Sequence, residues 1–419
     1  MLNCEYKWIC SQIGARQHYS IPQGLHQEGM LHLMVTDCWS PQWLKNVPFK
    51  NRLLRSLSNR NNSLIPADKI AHFSGAAVAR EAWLRFRRKC YPQANLFEDY
   101  NTYGIWFAKA VAQLISNRKL DEAAHMFHGF TTGALETMEL LRSRGVACIL
   151  QQIDTGRSHY QMLSAEAKLW PGWHPEGMSP PAAYFARIDK EWDKASVVIV
   201  NSKWTWEALS KQGVPIEKMA VVPLTYDAPP GLRPATRAWK APLQVLWVAD
   251  VVLGKGIQYF MGAARRLAKR NISFVVAGTI GISREAIAGA PANMKFLGRV
   301  PRGEIGRYYS ESHVYVFPTL SDGFGLTQLE AMAHGLPVIA TPNCGEVVSN
   351  GIDGWIVPAR DETALVEAIA KLDDDRQLLR QMSEMTGEKV AKFKTSGYAT
   401  RMTGAVLEII NGKAANGDK

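Results

Sequence analysis

Cysteine is scarce and unpatterned in this sequence. Its six residues, Cys4, Cys10, Cys38, Cys90, Cys148 and Cys344, are scattered over 419 positions with neither paired nor metal-ligand spacing. That excludes a disulfide framework and a zinc centre and leaves reduced thiols acting as small core groups. Long apolar runs are missing too. No stretch reaches the roughly 20 residues that span a bilayer, and Met1-Leu2-Asn3-Cys4-Glu5-Tyr6-Lys7 has no apolar signal core. The chain is therefore expected in the cytoplasm, with a peripheral position on the inner face of the membrane left open. No nucleic-acid motif is present, so nucleic acid is not an expected partner.

What is there is a globular composition, 47% hydrophobic and 21% charged, on a chain long enough for two domains. The net charge of +11 is partly gathered in Lys50, Arg52 and Arg55 and in Arg80, Arg85, Arg87, Arg88 and Lys89. Such clusters suit either an ordinary solvated face or an anionic partner, of which a membrane surface is the better functional reading.

Tyr6 to Ile13 reads as a strand ending in a turn at Gly14, followed by a helical stretch and a second strand at Leu31 to Thr36. Strand, glycine turn, helix, strand opens a parallel doubly wound sheet. Further strands are expected at 146–150 and 196–202. Between them, Leu169 to Pro175 is rich in Trp, Pro and Gly and is expected to be a loop near an acceptor. Ala228 to Thr236 is dense in breakers and reads as an interdomain linker. Strands at 243–248 and 272–277, flanking a helical 256–270, restart the alternation.

The most informative stretch runs from Ser321 to Thr341. A glycine-rich turn, Asp322-Gly323-Phe324-Gly325-Leu326, feeds a short helix carrying Glu330 that stops at Gly335-Leu336-Pro337 before a buried strand. Glycine backbone N–H groups at a helix start suit a phosphate, and a carboxylate further along can accept hydrogen bonds from sugar hydroxyls. Together they suit a nucleotide-sugar. Lys255, in Leu253-Gly254-Lys255-Gly256, follows a strand and precedes a helix, where an ammonium can reach a diphosphate. Taken alone, it would be an ordinary loop lysine. Asp373-Asp374-Asp375 lies in a polar helix near a turn and reads as solvent-facing rather than metal-binding, so no metal is expected.

The Ser321–Thr341 stretch resembles the acid-x7-acid signature of the retaining group 1, family 4 glycosyltransferases, with Asp322 at the first acid and Glu330 at the second. Phe296 to Val300, Val314 to Thr319 and Asn350 to Pro358 follow in the same order. The resemblance covers roughly residues 190–410. It implies an α/β GT-B fold, with two Rossmann-like doubly wound parallel-sheet domains facing a central cleft. The expected division is 1–232, completed by a returning helix at 396–412, and 233–395. It also implies metal-independent, retaining transfer from a nucleotide-sugar, a substrate rather than a cofactor, to a saccharide, lipid-linked or small-molecule acceptor, as in polysaccharide or glycoconjugate biosynthesis. Asp322 would contact the transferred sugar, Lys255 the diphosphate and Glu330 the ribose. Gly323, Phe324, Gly325, Leu326, Arg299 and Gly14 complete the expected donor site. Two departures stand out. Ala249-Asp250 replaces the family's Gly-Arg pair, and the family's first-domain histidine is missing where Gln151 to Gly156 stands, leaving Asp154 or His128 to orient the acceptor. These departures keep open a binding scaffold without transfer, and a nucleotide-sugar epimerase or phosphorylase remains a further alternative on the same fold.

Overall fold

The computed structural model describes residues 6–46, 57–58, 60–91, 95–122, 124–173, 179–232, 237–239 and 241–417. Cys4, Lys50, Arg52, Arg55, His174, Pro175 and 233–236 lie outside them. Seven strands, β1 (Trp8–Gln12), β2 (Leu31–Thr36), β3 (Ile70–His72), β4 (Met126–Phe130), β5 (Ala147–Gln151), β6 (Val197–Val200) and β7 (Met219–Val221), form one parallel sheet in the order β3-β2-β1-β4-β5-β6-β7. Six more, β8 (Leu243–Val248), β9 (Ile272–Ala277), β10 (Met294–Gly298), β11 (Val314–Phe317), β12 (Val338–Ala340) and β13 (Gly354–Ile356), form a second in the order β10-β9-β8-β11-β12-β13. Every residue of β1, β4, β6 and β11 is buried, the pattern of strands covered on both faces.

The covers are helices. In chain order they are α1 (Ser20–Gln27), α2 (Ser74–Cys90), α3 (Leu96–Arg118), α4 (Leu135–Arg142), α5 (Arg157–Leu169), α6 (Ala182–Lys194), α7 (Lys203–Ser210), α8 (Ile257–Arg266), α9 (Arg284–Ala288), α10 (Arg302–Glu311), α11 (Thr327–Ala333), α12 (Glu362–Asp374), α13 (Arg376–Ala391) and α14 (Tyr398–Gly417). Because strand side chains alternate, Ile9 packs with Phe107, Val111 and Met138 on one face of the first sheet. Trp8 and Cys10 pack on the other with Tyr398, Ala399, Met402 and Val406 of α14. The last helix thus lies in the core of the first lobe. The chain crosses between lobes twice, and the crossings are tied together. Tyr226 N–H donates to the Phe393 carbonyl at 2.8 Å and Thr395 N–H to Asp227 Oδ1 at 3.1 Å.

The linker is anchored by a residue that composition hides. Arg237 is buried, and its guanidinium donates to the carbonyls of Ser312 (2.6 Å), Gly335 (3.3 Å), Tyr309 (3.3 Å) and His334 (2.5 Å), where α10 and α11 end. A cation there meets the negative ends of two helices. The Trp-rich stretch expected to be a loop near an acceptor leans on the second lobe. Trp170 sits 6.0 Å from the Tyr259 ring and the Trp173 carbonyl accepts from Ser283 N–H at 2.9 Å, because the apolar surface available to the indoles is there.

Candidate active site

In each sheet the strand order reverses beside the first strand, between β1 and β4 and between β8 and β11. Connections leave such a point toward opposite faces, and a crevice opens beyond the carboxyl ends of the strands. The two crevices face one another. Arg16 and Gln17 after β1, Phe130 ending β4, Val248 ending β8 with Ala249 and Asp250 after it, and Phe317 ending β11 line one cavity of ≈ 400 Å³, together with Lys255, Asp322 and Phe324 to Thr327.

Lys255 and Asp322 form an ion pair in this cavity, and the other Asp322 oxygen, Oδ1, accepts the Phe324 N–H at 3.0 Å. Burial pushes the Asp322 carboxyl up, but the Lys255 ammonium and the Phe324 N–H outweigh it and hold the group below its ordinary value. Asp322 is thus an anion in the cavity wall, and Lys255 a cation that a diphosphate would compete for. Asp250 lines the same cavity and is exposed.

The glycines of the motif serve close packing as well as turning. A Cβ on Gly323 would lie 1.9 Å from the Ile153 carbonyl oxygen of the first lobe, and Gly325, at φ +79°, turns its α-carbon against the Phe317 ring. The same loop is gripped from across the cleft. Thr155 Oγ1 and Ser321 Oγ share a hydrogen bond at 2.8 Å, and Trp204 Nε1 donates to Ser321 Oγ at 3.3 Å.

A second cavity of ≈ 400 Å³ adjoins the first inside the first lobe, lined among others by Arg16, Asp37, Arg60, Tyr103, Ile153, Asp154 and Tyr184. Arg16 and Ile153 line both cavities. Asp154 belongs to this second space. Its Oδ1 accepts from Gln152 Nε2 and from Gly156 N–H, both at 2.9 Å, so one oxygen is spent on its own turn.

The remaining sequence candidates fall elsewhere. The Glu330 carboxylate is not among the groups lining the interlobe cavity; it accepts from Tyr309 Oη at 3.0 Å, and burial raises it above its ordinary value, opposed by that bond and by Arg302. Arg299 is exposed after β10 and pairs with nothing among the described residues. Gly14 also stays out of the lining; at φ +74° it donates its N–H to Asp37 Oδ1 at 2.8 Å and thereby sets the turn that carries Arg16. His128 is buried 3.5 Å from Gln151 Oε1, and burial pushes its imidazole down to about 4. Asp373 and Asp374 are engaged by Arg270 and Arg376, and among the described residues no group of three His, Cys, Asp or Glu side chains is gathered for a metal.

Arg16 and His159 were not legible as site residues. Arg16 places its guanidinium 5.2 Å over the Phe130 ring, with Nε buried and unpartnered, and burial lowers its basicity against the pull of Asp154. The residues after Arg16 are also unusual, since Gln17, His18 and Tyr19 all have positive φ, a costly conformation outside glycine. His159 on α5 feels Asp154, Lys255 and Asp322, with burial holding it below its ordinary value. The one available signal was Arg16 standing two positions after the turn glycine that ends β1.

Residues 242–375 match the family described as glycosyl transferases group 1. The second lobe is a group 1 glycosyltransferase domain. Over 129 residues the chain is 36% identical to the lipopolysaccharide core biosynthesis mannosyltransferase LpsB of Rhizobium meliloti, covering 30% of this chain and 36% of that one. It is 27% identical over 188 residues to the amylovoran biosynthesis glycosyltransferase AmsK of Erwinia amylovora, covering 41% and 46%. The chain spans about half the length of the curated relatives it matches. In structure, the sucrose-phosphate synthase of Thermosynechococcus elongatus superposes with TM-score 0.63 at 18% identity over 97% of this chain and 100% of its own. HepE of Anabaena in complex with UDP superposes with TM-score 0.61 at 13% identity over 96% and 100%. The group 1 glycosyltransferase domain and the lobe before it together have the GT-B fold.

Proposed function

We propose that this chain transfers a sugar from a nucleotide-sugar to an acceptor hydroxyl with retention of anomeric configuration and without a metal. The observation that carries the reading is the interlobe cavity where the start of α11, the Lys255–Asp322 pair and Arg16 converge at two strand-order reversals. In this reading residues 233–395 hold the donor, and residues 1–232 with the helix at 396–412 hold the acceptor in the adjoining cavity. As the bond from the anomeric carbon to the diphosphate oxygen breaks, positive charge grows on the sugar and negative charge on the leaving group. Lys255 and Arg16 stabilise the latter, Asp322 holds the sugar, and the leaving phosphate takes the acceptor's proton on the same face. Asp154 orients the acceptor. Glu330 with Tyr309 and Arg302 marks where a ribose would lie.

The test is nucleotide release from UDP-, GDP- and ADP-sugars in the presence of EDTA, starting with UDP-glucose, which a HepE structure contains. Release from one donor is expected, and Lys255→Ala should lower kcat about 100-fold while changing KM less, because its partner charge develops in the transition state. No release from any donor, with no nucleotide-induced rise in Tm, would sink the reading in favour of a scaffold.

A further inference from the structure

Helix α2 carries apolar residues on two opposite faces. Ala77 and Leu84 are buried. On the far side Ala79, Ala82, Trp83 and Phe86 follow one another at spacings of three, one and three, which at 3.6 residues per turn is a single stripe, and all four are exposed. Trp83 is 56% and Phe86 65% exposed, with Val78 at 43% beside them and Tyr91 at 68% just after the helix. A stripe of this kind on a water-soluble domain marks a surface that meets something.

Charge identifies the partner. Arg85 and Lys89 border the stripe on one side and Arg87, whose guanidinium sits 6.0 Å over the Trp83 ring, on the other. Arg87 and Arg88 also grip the buried Asp99, which fixes the helix against α3. The helix carries five basic residues and one acid, Glu81, and adding Glu98 and Asp99 from the first turn of α3 still leaves five against three. Aromatic rings flanked by Arg and Lys stems suit the boundary between acyl chains and phosphates of an anionic bilayer, where rings enter and cations stay at the headgroups. Glu81, Leu84 and Arg88 on the inner side of this helix line the first-lobe cavity, as does the 48% exposed Tyr100.

We propose that α2 docks the protein on an anionic phospholipid bilayer through Ala79, Ala82, Trp83 and Phe86, with Arg85 and Lys89 at the headgroups. The docking does not rest on the transferase reading. It is tested by co-sedimentation of the full chain with vesicles of mixed phosphatidylglycerol and phosphatidylcholine against phosphatidylcholine alone, with light scattering and donor hydrolysis measured in parallel. Binding is expected to be about tenfold stronger on anionic vesicles and to weaken at about 0.5 M salt. W83E/F86E should reduce it about tenfold or more while leaving Tm and donor hydrolysis unchanged. Arg85→Gln with Lys89→Gln, which keeps the apolar stripe, should weaken it as well, so a folding defect in the first variant would not decide the matter. The proposal is overturned if the wild type binds anionic vesicles no better than neutral ones, if both variants bind as the wild type does, or if the stripe holds a dimer that W83E/F86E converts to monomers.

Discussion

Asp250 is the residue at which this chain departs most from the pattern it otherwise follows. An exposed carboxylate in the cavity that contains Lys255 and Arg16 opposes any diphosphate placed there. Asp250→Ala should therefore lower the donor KM by about tenfold, measured by steady-state kinetics; a raised KM would mean that Asp250 holds substrate. His128 gives a second expectation. It is buried and neutral, with its imidazole pushed down to about 4 by burial, whereas an unfolded histidine titrates near 6.5. The stability this contributes is complete above about pH 6.5 and is lost as pH falls through 4, about 3 kcal/mol in all. Urea unfolding of His128→Asn across that window should show a flatter acid limb than the wild type, and parallel limbs would rule out the histidine as the cause. That Lys255 and Asp322 meet was legible only through the family resemblance, which brings them together across 67 positions, since spacing alone left Lys255 an ordinary loop lysine. Arg16 and His159 were not legible, because they reach the site only through the way two lobes pack.

At the scale of elements, the loop from Ser321 to Leu326 is the piece on which both lobes close. Sequence alone gave its glycines one task, to free backbone N–H groups, whereas Gly323 also admits the Ile153 carbonyl. Gly323→Ala should push the loop away from β5 and lower kcat/KM about 100-fold, as small displacements of reacting groups do, with little change in the stability of the second lobe. Activity close to wild type would show that the loop yields without consequence. Strands such as β1, β2, β5, β6, β8 and β9 and the helix α8 were legible because continuous apolar runs and 3.6-residue periodicity survive in the sequence, whereas β3, β4 and β7 and the helices α2 to α4 were not read there. The lobe that the Trp-rich stretch leans on was not legible, since periodicity cannot say where a loop packs.

The whole molecule is held shut on one side by a carboxylate from the first lobe. Glu166 on α5 is fully buried and accepts from Gln258 Nε2 at 3.0 Å, from Tyr259 Oη and from Arg360 Nε at 2.8 Å, all in the second lobe. Burial raises its carboxyl, but those three donors outweigh it and keep the group ionised. Glu166→Ala strands three polar groups and should widen the interlobe angle, seen as a larger radius of gyration in small-angle scattering and a raised donor KM. An unchanged radius would separate Glu166 from closure. None of this was readable from sequence, for the partners lie more than ninety positions away.

Arg16 and Ile153 form a common wall between two chambers. A guest in either chamber therefore fixes the same arginine for the other, and linkage makes the effect mutual: whatever factor a donor adds to acceptor affinity, the acceptor must return to the donor.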